Sequence, residues 1–389
     1  IRSYRSFLFF RIFPIMQQKA LVYLLVLIGF FAENTREQEV GFRTSGRLIL
    51  GTYTERTASV ASGDLDGDGD MDLVVANGRH WPGQNRIFFN NGRGIFTVER
   101  PLGNTRATTY ATELADLDND GDLDIAVGND MAPNTLFFND GKGNFTQKEG
   151  FGKDYAPTRN LSLSDLDQDG DMDIVITNRG QPNEICLNDG NGNFPENMEF
   201  GNRADSTIDV EVADMDGDGY PDLILANRDA QPNYVYLNDG ALGFSEKIPF
   251  GTGNDNTRAV SVADVDQDGL QDILLANIGE PNVICYGSKE SPFSRSVIFD
   301  AESADSFSIA VADFNLDGAI DIAVGNNRNR NTIFINLGKD MPWEAILLAE
   351  EDLATYDIIV ADLNQDGMPD LVEANSDAVN RYYLNRTEK

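Results

Sequence analysis

The sequence predicts an all-β fold: a seven-bladed β-propeller of four-stranded blades, closed by an N-terminal strand that completes the last blade. Three observations lead there. An Asp-rich segment recurs seven times, each recurrence carries four short strand-like runs, and the last repeat stops one strand short. The segment begins at Asp64, Asp116, Asp165, Asp214, Asp264, Asp313 and Asp362, giving steps of 52, 49, 49, 50, 49 and 49 residues. A fixed period of this length marks a repeat architecture, and four strands per repeat is the content of one propeller blade.

Within a repeat, an alternating segment such as "ATELAD" leads into the Asp loop. An apolar run follows ("DIAVGN", "DLILAN"), then a third run ("NTLFFND", "NEICLND"), a Gly-rich turn ("NDGKGNF") and a fourth stretch ending near Phe-Gly. Runs of β-branched and aromatic residues bounded by Asn, Asp and Gly are strands, and Asp-Gly between two of them signals a hairpin. No stretch in the repeats keeps a helical period. The seventh repeat ends after its third run, "NRYYLN", at Asn385. Leu50-Gly51 lies ahead of Asp64 by the same offset that separates Phe151-Gly152 from Asp165. The segment from Arg47 to Thr54 is therefore expected to supply the missing fourth strand of blade 7. The propeller is expected over residues 41–389, preceded by a linker at 33–40.

The first 32 residues read differently. They hold Arg2, Arg5, Arg11 and Lys19, no acidic residue, and an apolar run from Ala20 to Ala32. That run is shorter than the roughly 20 residues a membrane span needs. A basic flank with a short apolar run reads as a secretory signal, with Met16 as its start and residues 1–15 as upstream sequence. An uncleaved anchor is the alternative, and the one membrane contact expected. Either way the protein is expected to be secreted, extracellular or periplasmic, or held at the cell surface. The formal charge of −34, from 64 acidic and 30 basic residues, argues against nucleic acid, whose phosphates select basic surfaces. Cys186 and Cys285 share the third-strand register held elsewhere by Phe88, Phe137, Tyr236, Phe334 and Tyr383. A whole blade lies between them, and disulfide Cα atoms must approach within about 7 Å, so two free buried thiols are expected.

The chemistry sits in the motif D-x-[DN]-x-D-G-x-x-D. Its ligand positions are Asp64, Asp66, Asp68 and Asp72 in blade 1; Asp116, Asp118, Asp120 and Asp124 in blade 2; Asp165, Asp167, Asp169 and Asp173 in blade 3; and Asp214, Asp216, Asp218 and Asp222 in blade 4. Blades 5, 6 and 7 continue with Asp264, Asp266, Asp268 and Asp272; Asp313, Asn315, Asp317 and Asp321; and Asp362, Asn364, Asp366 and Asp370. Hard oxygens at alternate positions wrap Ca2+, and the glycine at position 6 permits the sharp turn. Solvated acidic turns would need charge but not this spacing. Carboxylates about 4 Å apart repel by roughly 4 kcal/mol per pair at an effective dielectric of 20, so a converging set calls for a cation. Up to seven Ca2+ ions are expected, one per blade. An EF-hand loop would place its last acid at position 12 and be flanked by helix; here it is at position 9 and leads into a strand.

Spacing, strand–loop–strand context, period and Phe-Gly ends together resemble the FG-GAP/VCBS repeats of integrin α-subunit heads and bacterial surface proteins, over about residues 41–389. The resemblance implies a calcium loop between the first and second strands of each blade. The Gly-Ala-Pro half of the motif name is absent, and Phe-Gly becomes Phe299-Asp300 and Leu348-Ala349 in late blades. The resemblance implies an adhesion or recognition module. The residues themselves offer little for catalysis: there is one histidine, His80, and no hydrolase motif. A monomeric propeller binding an extracellular glycan or protein is the expectation; a polysaccharide-acting enzyme of the lyase kind and a structural spacer are the alternatives. If strands run up and down, the face opposite the calcium loops holds the second-to-third-strand and blade-to-blade connections. His80, Trp81, Arg106, Tyr110, Arg159, Arg258 and Tyr356 lie there, with aromatics expected to stack on a ligand and Arg to fork onto its carboxylate or sulfate.

Overall fold

A computed structural model describes residues 40–387, apart from residues 44, 149, 339 and 340. The expected signal segment (1–32) and nearly all of the linker (33–40) lie outside the described residues. Five sheets have four antiparallel strands each. Blade 2 is representative: Thr109–Ala115, Asp124–Asn129, Thr135–Asn139 and Phe145–Lys148. A sixth sheet holds two blades, because two long strands pass through both. The first half of Ile49–Gly63 belongs to blade 7 and the second half to blade 1, while Asp370–Asn385 supplies both the second and third strands of blade 7.

Closure occurs through the N-terminal segment, with more of it than the sequence suggested. Phe42 and Arg43 pair with Asn385 and Leu384, and Ile49 and Leu50 pair with Arg381 and Asn380. The outer strand of blade 7 thus begins at Phe42 rather than Arg47, with an irregularity between its two paired pieces. The innermost strands touch around the ring, including Thr355–Ala361 of blade 7 against Ile49–Gly63.

The core lies between blades rather than within them. Every second strand, such as Asp72–Asn77 and Asp222–Asn227, is buried at all six positions. That explains why these runs are continuously apolar instead of alternating. Seven hydrophobic clusters each join two neighbouring blades. One of them joins blade 7 to blade 1, with Leu48 and Leu50 packed on Val60, Leu73 and Tyr382. Cys186 and Cys285 are free and buried in these clusters, and burial pushes their thiols up to about 12 and about 11.

Two asparagine belts tie the blades together. At the Asp-loop end, Asn139 donates to Leu65 O of the preceding blade and Asn90 donates to Leu363 O across the closure. At the other end, Asn85 donates to Thr109 Oγ1 of the next blade, which in turn donates to Asn129 Oδ1. Buried polar groups demand such partners, so each belt is stabilising only while complete.

Candidate functional site

Each Asp loop is a turn held by its own carboxylates. In blade 1, Asp64 accepts from Gly67 N and Gly69 N at 2.9 and 3.0 Å, and Asp68 accepts from Asp70 N at 3.0 Å. Asp72 accepts from Leu65 N (3.1 Å) and Asn90 N (2.8 Å). Position 6 is a glycine in the left-handed region in all seven loops, as at Gly69 (φ 89) and Gly170 (φ 99). Position 4 is left-handed too, even where it is Gln168 or Leu316. No shared residue type marks that second requirement, since the position holds Gly, Asn, Gln or Leu. It serves the ring: Gln168, Gln267 and Gln365 donate to Gly219 O, Gly318 O and Gly69 O of the next loop.

Five loops bring three carboxylate oxygens within 4.8 Å of one another. The sets are Asp64, Asp66 and Asp72; Asp116, Asp118 and Asp124; Asp165, Asp167 and Asp173; Asp214, Asp216 and Asp218; and Asp264, Asp266 and Asp272. One buried oxygen each of Asp66, Asp118, Asp165 and Asp266 has no hydrogen-bond partner. A buried carboxylate oxygen without a donor is costly, and a cation among the cluster would complete it. The donor set therefore fits a metal ion: all-oxygen, carboxylate-rich and converging. Blades 6 and 7 form no such carboxylate set among the described residues. There Asn315 Nδ2 donates to Asp317 (2.8 Å) and Asn364 Nδ2 to Asp370 (3.3 Å).

The ninth-position carboxylates respond to burial. Asp72, Asp124, Asp321 and Asp370 are pushed up to about 7, and Asp173, Asp222 and Asp272 to about 6. Desolvation dominates in each case, opposed by two backbone N–H donors. Such groups lack a positive partner, which is the electrostatic counterpart of the orphaned oxygens.

At the other end of the ring, each inner strand carries a register shift after its first residue, for example between Thr109 and Ala111 and between Thr355 and Asp357. A β-bulge re-aims one side chain, and the bulged residues are Ala58, Tyr110, Arg159, Ile208, Arg258, Phe307 and Tyr356. All but Ile208 line a central cavity of about 470 Å³. Four of the seven residues expected on this face, Tyr110, Arg159, Arg258 and Tyr356, are thus brought together. His80 joins them, with its Nδ1 2.8 Å from the Tyr110 hydroxyl. Burial, then the charges of Arg79 and Arg159, hold its imidazole below the usual range. Trp81, 66% exposed, and the exposed Arg106 lie outside the cavity lining.

Two of the aromatics expected to stack on a ligand, Tyr110 and Tyr356, are already engaged by arginine. The Arg159 guanidinium lies 4.5 Å from the Tyr110 ring centroid and that of Arg79 lies 4.0 Å from Tyr356, so those rings serve as seats for arginine. Arg179, also on this face, is paired with Asp229 at 2.8 Å. Deeper in the cavity come carboxylates that sequence reasoning passed over: Asp209 and Asp357, then Glu113 and Glu211. Asp357 links three blades, accepting from Val60 N (3.0 Å) and Ser308 Oγ (2.9 Å). Burial, and then Asp209, push Glu211 up to about 8. They fall at i+1 (Asp209, Asp357) and i+3 (Glu113, Glu211) from a bulge, a placement visible only once the bulges are located.

The comparisons with known proteins agree with this architecture. No curated protein sequence matches the chain. Among solved structures it is similar to BBS1N in complex with ARL6DN, in a mercury-soaked crystal, at 12% identity and a TM-score of 0.60, covering 89% of this chain and 96% of that one. A lead-soaked crystal of the same complex gives 13% identity and a TM-score of 0.58, covering 87% and 94%. At such identity the likeness is one of fold. A profile of the FG-GAP-like repeat matches six overlapping windows, residues 64–127, 116–176, 165–225, 214–275, 264–324 and 313–373. Each window runs from one Asp loop through the next, and together they span most of the ring, so this chain belongs to the FG-GAP-like repeat family.

Proposed function

We propose that this propeller is an exported recognition module whose ring is stabilised by Ca2+ in its Asp loops and whose ligand is met on the opposite face. The observation that carries the metal is the set of four buried, unpartnered carboxylate oxygens, each within a loop where three carboxylates converge. Ca2+ suits the all-oxygen, flexible donor set better than Mg2+, which demands stricter octahedral geometry and keeps more water. In blade 1 the ion would be held by Asp64, Asp66 and Asp72, and the corresponding sets serve blades 2, 3 and 5. In blade 4 the set is Asp214, Asp216 and Asp218. The ion's role is structural, since a metal bound only by the folded state stabilises it by mass action.

Binding rather than turnover is favoured because the sole histidine, His80, is engaged with Tyr110 and the cavity carboxylates are tied to backbone amides or buried. A protein ligand is the first choice, since a propeller similar in fold has been crystallised with a protein partner. Export is supported by the basic and apolar N-terminal residues and by the millimolar Ca2+ that weak extracellular sites require. Isothermal titration of the chelated protein with Ca2+ and with Mg2+ tests the metal: about five Ca2+ with little Mg2+ is expected, and no Ca2+ uptake would end the reading. Incubation with a panel of polysaccharides tests the absence of turnover, which cleavage lost in His80→Ala would contradict.

A further inference from the structure

We propose that the mouth of the central channel, on the face away from the Asp loops, is a carboxylate-binding site that takes an acidic side chain from a segment of a partner protein. The inference rests on reading the ring as a recognition module, but not on its calcium. In a protein of net charge −34, arginines gather at this mouth. Arg159 and Arg258 line the cavity itself, Arg79 lies on the ring of Tyr356, and Arg228 is near enough to Arg258 and Tyr356 to interact electrostatically with both.

Their charges are only partly used. Arg159 has an ion pair, with Asp130 at 2.8 Å. Arg79 donates to the neutral Ser376 Oγ at 3.0 Å, and its buried Nε has no partner. Among the described residues the side chains of Arg228 and Arg258 make no hydrogen bond and no ion pair, and the Nε of Arg228 is likewise buried and unpartnered. Asp209 lies close enough to act on Arg258, yet its oxygens already accept from Val260 N (2.9 Å) and from Asn160. An incoming carboxylate would meet guanidinium forks whose N–H groups need acceptors, which is the geometry of two-point charge-assisted hydrogen bonding.

The same wall says what kind of anion fits. A sugar ring needs an open aromatic face; Trp81 offers one only outside the cavity lining, while at the mouth Arg159 covers Tyr110, Arg79 covers Tyr356, and Phe307 meets Tyr356 edge-on at 4.8 Å. Glu113 and Glu211 stand deeper in the cavity and offer no positive charge to hold a second anionic group, so a polyanion threading inward is disfavoured. One carboxylate at the end of a short arm, stopping at the arginines, meets both conditions. An Asp or Glu side chain on a protein loop is that group.

The test uses the full chain and an array of hexapeptides carrying one Asp or Glu, beside matched Asn or Gln peptides, oligogalacturonate and a sulfated oligosaccharide. The expected result is an at least about tenfold preference for the acidic peptides over their amide counterparts, weakening as salt rises. Arg258→Gln should lower that binding about tenfold at unchanged Tm, and Arg203→Gln, an exposed site away from the cavity, should not. Should Arg258→Gln prove unstable, Arg228→Gln reads the same effect. Peptide binding without a carboxylate preference, or indifferent to both variants, overturns the proposal while leaving the recognition reading intact. Oligogalacturonate or sulfated sugar bound in place of peptide also overturns it. No binding in any arm sinks the inference and the recognition reading together.

Discussion

The Asp loops of blades 1 to 5 and those of blades 6 and 7 make the same turn by different means. In blades 1, 2 and 5, the third-position aspartate, Asp66, Asp118 or Asp266, has a buried oxygen without a partner. In blades 6 and 7 the same position is Asn315 or Asn364, whose amide donates to a neighbouring carboxylate. Blade 7 adds Arg386, 3.3 Å from Asp366. One arc of the ring thus leaves carboxylate oxygens that an external cation could complete, and in the other the asparagine amides take up part of that role as donors. The self-sufficient arc is also where the ring closes, through Phe42 and Ile49 on the last strand. Closure and the open carboxylate clusters thus mark different arcs, and perturbations should separate their effects.

The largest effect is expected from breaking closure. Deleting residues 41–55 removes the outer strand of blade 7 together with Leu48 and Leu50 from the blade 7–blade 1 cluster. An open strand edge and an exposed core face invite aggregation, so the truncated chain should be recovered insoluble whether or not Ca2+ is present. Soluble, folded protein by circular dichroism would show that the strand is dispensable. Next in size is chelation. With Ca2+ at ten times its Kd, one loop gains about 1.4 kcal/mol, and five independent loops about 7 kcal/mol. Excess chelator should therefore lower Tm markedly, Ca2+ should restore it, and Mg2+ should restore little. A calorimetric trace indifferent to chelator would remove the distinction between the two arcs.

Protons should act on all seven loops where calcium acts on five. The ninth-position carboxylates are raised by burial to about 6 or 7 in both arcs, Asp321 and Asp370 included. A carboxyl that binds its proton more tightly when folded favours the folded state below its unfolded value, near 3.8. It gives up that contribution as pH rises through the folded value. The chelated protein should thus lose stability between about pH 4 and 7. With saturating Ca2+ the trend over the same window should flatten or reverse, because the ion needs those carboxylates ionised. Denaturant titrations at pH 5 and 7.5, with and without Ca2+, check this; parallel trends in the two conditions would contradict it.

How much of this could be read in advance depended on whether a residue's role repeats. The Asp loops were legible because the same charges recur at the same spacing, and so was the borrowed strand, from the offset of Gly51 against Gly152. The asparagine belts were visible as letters, in Asn90, Asn139 and Asn188 at the ends of third strands, but their carbonyl partners lie in the preceding blade. Channel-mouth residues were found only in part. Up-and-down topology placed Tyr110, Arg159, Arg258 and Tyr356 on one face, yet Ala58, Ile208 and Phe307 occupy the same bulge and share no side-chain chemistry with them. A bulge leaves a backbone signature that the sequence does not spell. The seating of Arg79 on Tyr356 joins blade 1 to blade 7, and no local pattern announces it.

The smallest expected effect is the most discriminating between the arcs. Asn315→Asp and Asn364→Asp should convert the two self-supported loops into the cation-seeking kind. Without Ca2+, each change removes an amide donor from Asp317 or Asp370 and adds a like charge, which should cost about 1 kcal/mol. With Ca2+ in excess, the added carboxylate should tighten the site and raise stability by a similar amount. The sign of the change should therefore invert with calcium, while titration stoichiometry rises by one for each substitution. Asp118→Asn is the reverse exchange: it should lower the stoichiometry by one and make the chelated protein slightly more stable, since repulsion from Asp116 and Asp120 is relieved. If the Asn→Asp variants lose the same stability with and without Ca2+ and bind no further ion, the asparagines are not what distinguishes the arcs. The cause would not lie in the left-handed fourth position either, since every loop shares it, Leu316 and Gln365 included.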